Sequence, residues 1–189
     1  MSRTLVLLRH AKSSWRQTGT SDFDRRLSGR GVRDGGSFGK RLADDLASPD
    51  LVLCSTARRT RDTLAFLVPG LVDPRRVQYE DALYHASAAA LLDRIRSVTD
   101  PQVRTLMVVG HNPGLTELAD QLATGGRGTI ENLPTFGCAQ FALGASFAEL
   151  DHGTARLDAL LRPKRREATE DGHGSEDADD TLIPDAGAP

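Results

Sequence analysis

Thr4-Leu5-Val6-Leu7-Leu8-Arg9-His10-Ala11-Lys12-Ser13 is the stretch on which the reading of this chain turns. The unbroken apolar run from Leu5 to Leu8 predicts a buried strand, and it stops abruptly at a cation and an imidazole. The same event recurs downstream, where Leu106-Met107-Val108-Val109 runs into Gly110-His111-Asn112-Pro113-Gly114. A third short run, Leu51-Val52-Leu53-Cys54, leads into Ser55-Thr56-Ala57-Arg58-Arg59-Thr60-Arg61-Asp62-Thr63. Ligands of open α/β sheets bind beyond the carboxyl ends of the strands, so these strand ends are expected to converge on one crevice. Arginines and histidines at its rim predict an anionic guest.

Together, the Leu8 to Ser13, Ser55 to Thr63 and Val109 to Gly114 segments resemble the histidine phosphatase superfamily, whose signature is an Arg-His pair after the first strand. The short chain and the Gly-His-Asn-Pro-Gly form of the second motif are similar to its small branch, the SixA-like phosphohistidine phosphatases. The resemblance runs from about Thr4 to Arg162. It implies a phosphoglycerate mutase-like fold: a single-domain, mixed-sheet α/β sandwich with helices on both faces, spanning residues 1–162.

Size and composition agree with one soluble domain. At 189 residues, 39% hydrophobic and 26% charged, the chain has enough material for a substantial core. No stretch approaches the roughly 20 apolar residues of a membrane helix, and the N-terminus runs straight into a strand without a secretory signal, so a cytoplasmic location is expected and no membrane partner. Cys54 and Cys138 are too few for a disulfide framework and read as small buried hydrophobes. The net charge of −2 hides an asymmetry: residues 163–189 carry three basic against eight acidic residues, which leaves the body at +3. That tail is poor in apolar residues and is expected to be disordered. Nothing resembles a nucleic-acid-binding patch.

Along the chain, residues 14–26 form a polar loop with Trp15 and Phe23, expected to wall the site. Ser28 is the expected cap of a helix reaching Leu46, although Gly31, Gly35, Gly36 and Gly39 weaken its helical pattern. A second helix is expected over Ala57–Val68, capped by Ser55 or Thr56, and a short strand at Val77–Tyr79. Helix periodicity over Ser87–Val98 puts Ala89, Leu92 and Ile95 on the apolar side. Asn112 as cap and Pro113 in the first helical position predict a helix through Leu122. Cys138–Leu143 and Thr154–Leu160 read as a terminal antiparallel pair.

The resemblance assigns roles. His10 would be the nucleophile, and Arg9 and Arg59 would grip phosphoryl oxygens through their planar donor forks. Arg59 is the fifth residue counted from Ser55, where the family pattern Ser-x-x-x-Arg-Ala-x-Gln-Thr has its arginine; Thr60 and Asp62 depart from that pattern. Arg58 and Arg61 then read as surface cations. His111 would be the second imidazole, a cation favoured by phosphate charge. Ser13 either donates to phosphate or caps the loop. Larger members of the superfamily use a Glu or Asp as proton donor; here Glu80, Asp81 and His85 are candidates among which the sequence does not choose.

The expected activity is therefore that of a phosphohydrolase without cofactor or metal, since the arginines beside the histidines oppose a divalent cation. The substrate would be phosphohistidine on a protein. Small phosphate esters such as nucleotide or sugar phosphates are the alternative, and a non-catalytic phosphoryl-binding adaptor is the reading from a different class.

Overall fold

In the computed structural model the described residues are 2–15, 19–68, 70–125 and 128–164. Most of the expected tail lies outside them. The elements run β1 (Arg3–Arg9), α1 (Gly29–Asp45), β2 (Leu51–Ser55), α2 (Arg58–Ala65), β3 (Val77–Glu80), α3 (Ala88–Arg96), β4 (Thr105–Gly110), α4 (Gly114–Leu122), β5 (Cys138–Leu143) and β6 (Ala155–Leu161). Short 3-10 turns at Pro74–Arg76, Asp81–Leu83 and Phe147–Glu149 complete it.

All six strands form one sheet in the order β3-β2-β4-β1-β5-β6. β1, β2, β3 and β4 are mutually parallel, whereas β5 runs antiparallel to β1 and β6 antiparallel to β5. The continuous apolar runs are explained by burial on both faces. Leu5, Leu7, Leu53, Leu106 and Val108 face the core shared with α3 and α4; Val6, Leu8, Val52, Met107 and Val109 face the core under α1 and α2. The result is a mixed-sheet α/β sandwich with helices on both faces. The pairing puts Arg9 opposite Gly110 and Cys54 opposite Val109, so the three chemically loaded segments leave the sheet at the same edge.

Several local details differ from the sequence expectations. Two of the α1 glycines sit close against other parts of the chain: a Cβ on Gly31 would collide with the Lys12 carbonyl, and one on Gly35 with the Phe66 ring, while Gly36 faces open space. Ser28 does cap it, accepting from Gly31 N–H at 3.2 Å. Neither Ser55 nor Thr56 caps α2. Its N-cap is Ala57, while Ser55 and Thr56 spend their hydroxyls on His111 and Asp81. The buried stripe of α3 is Ala88, Leu91, Leu92 and Ile95: Leu92 and Ile95 face the core as expected, whereas Ala89 is exposed and Ala88 takes its place. Asn112 is not the cap of α4. Pro113 holds that position, and the Asn112 amide donates to Leu133 O at 3.1 Å. No helix of the described residues is long and apolar enough to cross a membrane.

Candidate active site

His10 follows the last residue of β1, and its backbone is fixed on two sides. Its N–H donates to Gly110 O on the β4 side (3.2 Å), and its carbonyl accepts from Phe136 N–H (3.0 Å). The ring is fixed as well: Nδ1 lies 2.7 Å from its neighbour's carbonyl, Ala11 O, which can only accept, so the ring proton sits on Nδ1. Nε2 is left with its lone pair. Burial, together with the charges of Arg59, Arg9 and Arg25, pushes the His10 pKa down to about 3, against the support of the Ala11 hydrogen bond. This imidazole is an unprotonated base at neutral pH.

Arg59, in the first turn of α2, is 1% exposed. Its Nε–H donates to His10 Nε2 at 3.3 Å, so the guanidinium lies against the lone pair of that imidazole. The next turn ties α2 to the loop: Thr63 Oγ1 donates to Arg59 O (2.6 Å) and accepts from Ala11 N–H (2.9 Å). The two departures from the family pattern are both accommodated. Thr60 donates its hydroxyl to Ser55 O and Ala57 O, and Asp62 pairs with Arg58. Of the three neighbouring arginines only Arg59 is buried, whereas Arg58 is partly exposed and Arg61 exposed.

His111 follows β4 with its ring centroid 5.3 Å from that of His10. Its Nε2 is 2.9 Å from Ser55 Oγ. That oxygen also accepts from Ala57 N–H at 3.4 Å, and its remaining lone pair and proton let it serve His111 Nε2 in either tautomer. Nδ1 is buried and has no partner, and the same is true of Arg9 Nε, whose Nη1 donates to Leu133 O at 2.9 Å. Buried nitrogens without partners are rare; one here belongs to the residue before His10 and the other to the imidazole whose ring lies 5.3 Å from it. The cationic state expected of His111 is not what the protein alone favours. Burial, with His10, Arg59 and His85 nearby, holds its pKa down to about 2, so a cation there needs the added charge of a bound dianion.

Against this geometry the comparisons with known proteins are direct. The model of the histidine phosphatase superfamily (branch 1) matches residues 5–91. An uncharacterized protein of Mycobacterium tuberculosis strain H37Rv is 39% identical over 164 residues, covering 83% of this chain and all of the relative. A solved structure from Agrobacterium tumefaciens, provisionally assigned as the phosphohistidine phosphatase SixA, is 30% identical with a TM-score of 0.73, covering 85% of this chain and 98% of that one. The chain belongs to the histidine phosphatase superfamily. A second provisional SixA, from Nakamurella multipartitia, is 28% identical with a TM-score of 0.74, covering 86% of this chain and 97% of that one.

This histidine phosphatase superfamily member also brings in groups that the sequence did not single out. Asp22, from the loop between β1 and α1, accepts from Arg59 Nη2 (3.1 Å), Tyr84 Oη (2.6 Å) and both Arg25 Nε and Nη2 (2.9 Å each), and its backbone carbonyl accepts from Arg59 Nη1 (2.6 Å). Although burial acts to raise the Asp22 pKa, hydrogen bonds from Tyr84 and His85 and the charges of Arg59 and Arg25 outweigh it and hold the carboxylate ionised. Arg25 stacks 3.5 Å over the exposed Trp15 ring and donates to Ser13 Oγ at 2.8 Å. Ser13 accepts in that contact, which leaves its hydroxyl proton available to a further acceptor. Of the three proton-donor candidates, Glu80 is paired with Arg94 of α3 (2.6 Å) and Asp81 accepts from Thr56 (2.5 Å). His85 alone reaches the site, stacked on His111 at 5.1 Å with rings 10° from parallel.

Proposed function

We propose that this protein is a metal-independent phosphohydrolase in which His10 attacks phosphorus and a phosphohistidine intermediate on the enzyme is then hydrolysed, with phosphohistidine on a protein as substrate. The observation that carries the reading is an unprotonated His10 Nε2 beside two buried nitrogens without partners, His111 Nδ1 and Arg9 Nε, each able to donate to a bound anion. Three equatorial oxygens of a phosphoryl group would satisfy those donors and Arg59, whose Nε–H turns from the His10 lone pair to an oxygen as the nitrogen attacks. Dividing one displacement into two is the contribution of the nucleophile. The two guanidinium groups supply the positive charge that a metal supplies in other phosphatases.

Phosphohistidine is favoured over small esters by the names of the two SixA relatives and by chemistry, since an imidazole leaves more readily than an alkoxide. The test compares kcat/KM on a histidine-phosphorylated protein with a panel of nucleotide and sugar phosphates. Preference for the phosphoprotein by about tenfold or more is expected, a difference of roughly 1.4 kcal/mol at the transition state. A marked preference for one small ester would overturn the substrate, and the absence of turnover on any phosphate would leave the adaptor reading instead.

A further inference from the structure

We propose that His85 is the proton donor to the leaving group, and that Asp22 is the positioning residue that holds it. The inference rests on the phosphohydrolase reading above. Its geometric basis is that one guanidinium touches both imidazoles: Arg59 Nε is 3.3 Å from His10 Nε2, and Arg59 Nη2 is 3.1 Å from His85 Nε2. The nitrogen that attacks and the nitrogen that carries the proton are thus set on one rigid planar group. In-line phosphoryl transfer puts nucleophile and leaving group on opposite sides of one phosphorus, and a shared guanidinium fixes the spacing of the two nitrogens that must reach across it.

His85 Nε2 also has a partner ready in either protonation state. Protonated, it donates to Asp22 Oδ2 at 3.1 Å; neutral, it accepts from Arg59 Nη2 at the same distance. A proton can leave and return there without rearranging neighbours, which suits a group that must act as acid in one step and base in the next. The charged and titratable groups facing it are Asp22 from the loop before α1, Arg59 from α2, His111 after β4 and Tyr84 beside it. Tyr84 Oη, donating to Asp22 Oδ2, fixes the carboxylate from the other side.

Backbone and surroundings support a role beyond packing. His85 has φ 51°, the left-handed region that residues with a Cβ seldom adopt, and such strain clusters at functional sites. Its side chain is 49% exposed, open to an arriving leaving group, while His10 and His111 are buried. The other two candidates are held elsewhere by Arg94 and Thr56.

The steps balance. His10 Nε2 forms a new P–N bond, the bond from phosphorus to the leaving group breaks (P–N in phosphohistidine, P–O in an ester), and the departing nitrogen or oxygen takes the proton of the His85 imidazolium, leaving His85 neutral. Water then attacks phosphorus, its proton passes to His85, the P–N bond breaks, and inorganic phosphate departs.

A leaving-group series tests this with the full chain, His85→Asn and Asp22→Asn. Asparagine tolerates positive φ and cannot become a cation at neutral pH, so it removes the proton with little backbone strain. His85→Asn should lose about 10²-fold or more on alkyl phosphates, whose alkoxides need protonation, and only a few-fold on nitrophenyl phosphate, which leaves unaided. Asp22→Asn should show the same leaving-group dependence in kcat, with a greater loss on alkyl phosphates than on nitrophenyl phosphate, because the imidazole is no longer held by the carboxylate. Phosphoenzyme formation from nitrophenyl phosphate by His85→Asn would establish that the variant is folded. Equal losses across the series, or none, would overturn the assignment. A wild-type protein inert on every phosphate would instead overturn the phosphohydrolase reading beneath it.

Discussion

Arg59 is a cation almost without solvent, and its charge is tolerable because Asp22 supplies both a carboxylate and a carbonyl to its far edge. With that edge held, Nε is aimed at His10. Shortening the group to a point charge should therefore hurt more than removing a neighbouring charge. Arg59→Lys is expected to lower kcat/KM by about 10²- to 10³-fold, while Arg58→Ala, whose pairing with Asp62 is a partly exposed helix contact, should stay within a few-fold. Steady-state kinetics on one phosphate substrate decides it, and the reverse ranking would mean that Arg58 is the inward residue. His10, Arg9, Arg59 and His111 were legible because strand ends and motif spacing single them out. Asp22 was not. It lies among the mixed charges of Asp22-Phe23-Asp24-Arg25-Arg26, and its partners Arg59 and Tyr84 are 37 and 62 residues away, so only the fold distinguishes it from Asp24.

Helices α1 and α4 set the loops of the site by touching them without side chains in between. A Cβ on Gly31 would meet the carbonyl of Lys12, two residues past His10, and a Cβ on Gly114 would meet the carbonyl of Ala86, next to His85. Neither obstacle is a flexible side-chain end, so relief requires moving backbone that carries the site. Gly114→Ala is expected to cost about 1–3 kcal/mol and to reduce turnover by displacing the turn at residues 84–86, whereas Gly36→Ala, with open space around it, should be neutral or slightly stabilising. Urea titrations of the two variants, with activity at each, provide the measurement; a harmless Gly114→Ala would mean that the turn does not depend on α4. The same contacts explain why elements were unevenly legible. Strands buried on both faces announce themselves as apolar runs, whereas α1 carries its glycines for close approach, a tertiary reason that local propensity counts only as a penalty. The Ser55 hydroxyl was likewise drawn from helix capping to His111 by a contact 56 residues away.

The whole molecule keeps two imidazoles neutral inside a charged site, and this links activity to stability. The folded-state pKa values of His10 and His111 are pushed down to about 3 and about 2 from 6.5, chiefly by burial, so on acidification the unfolded chain takes up those protons first. Their contribution is complete above about pH 6.5 and is lost progressively as pH falls toward 3. For His10 alone the loss by pH 4 is on the order of 3 kcal/mol. Urea midpoints should drop between pH 7 and pH 4.5, and His10→Gln, which cannot titrate, should show a flatter dependence; identical slopes would contradict a buried neutral His10. The sheet order that makes this burial possible also brings the carboxyl ends of β1, β2 and β4 side by side, and through them the two histidines and two arginines.

The central claim is that His10 Nε2 receives the phosphoryl group. It is tested most directly by mixing the protein with nitrophenyl phosphate, quenching rapidly under alkaline conditions that preserve phosphohistidine, and mapping the modified peptide by mass spectrometry. One acid-labile phosphoryl group on His10, absent from His10→Ala, is the predicted result. Phosphate release with no phosphoenzyme, or a phosphoryl group on another residue, would contradict the account.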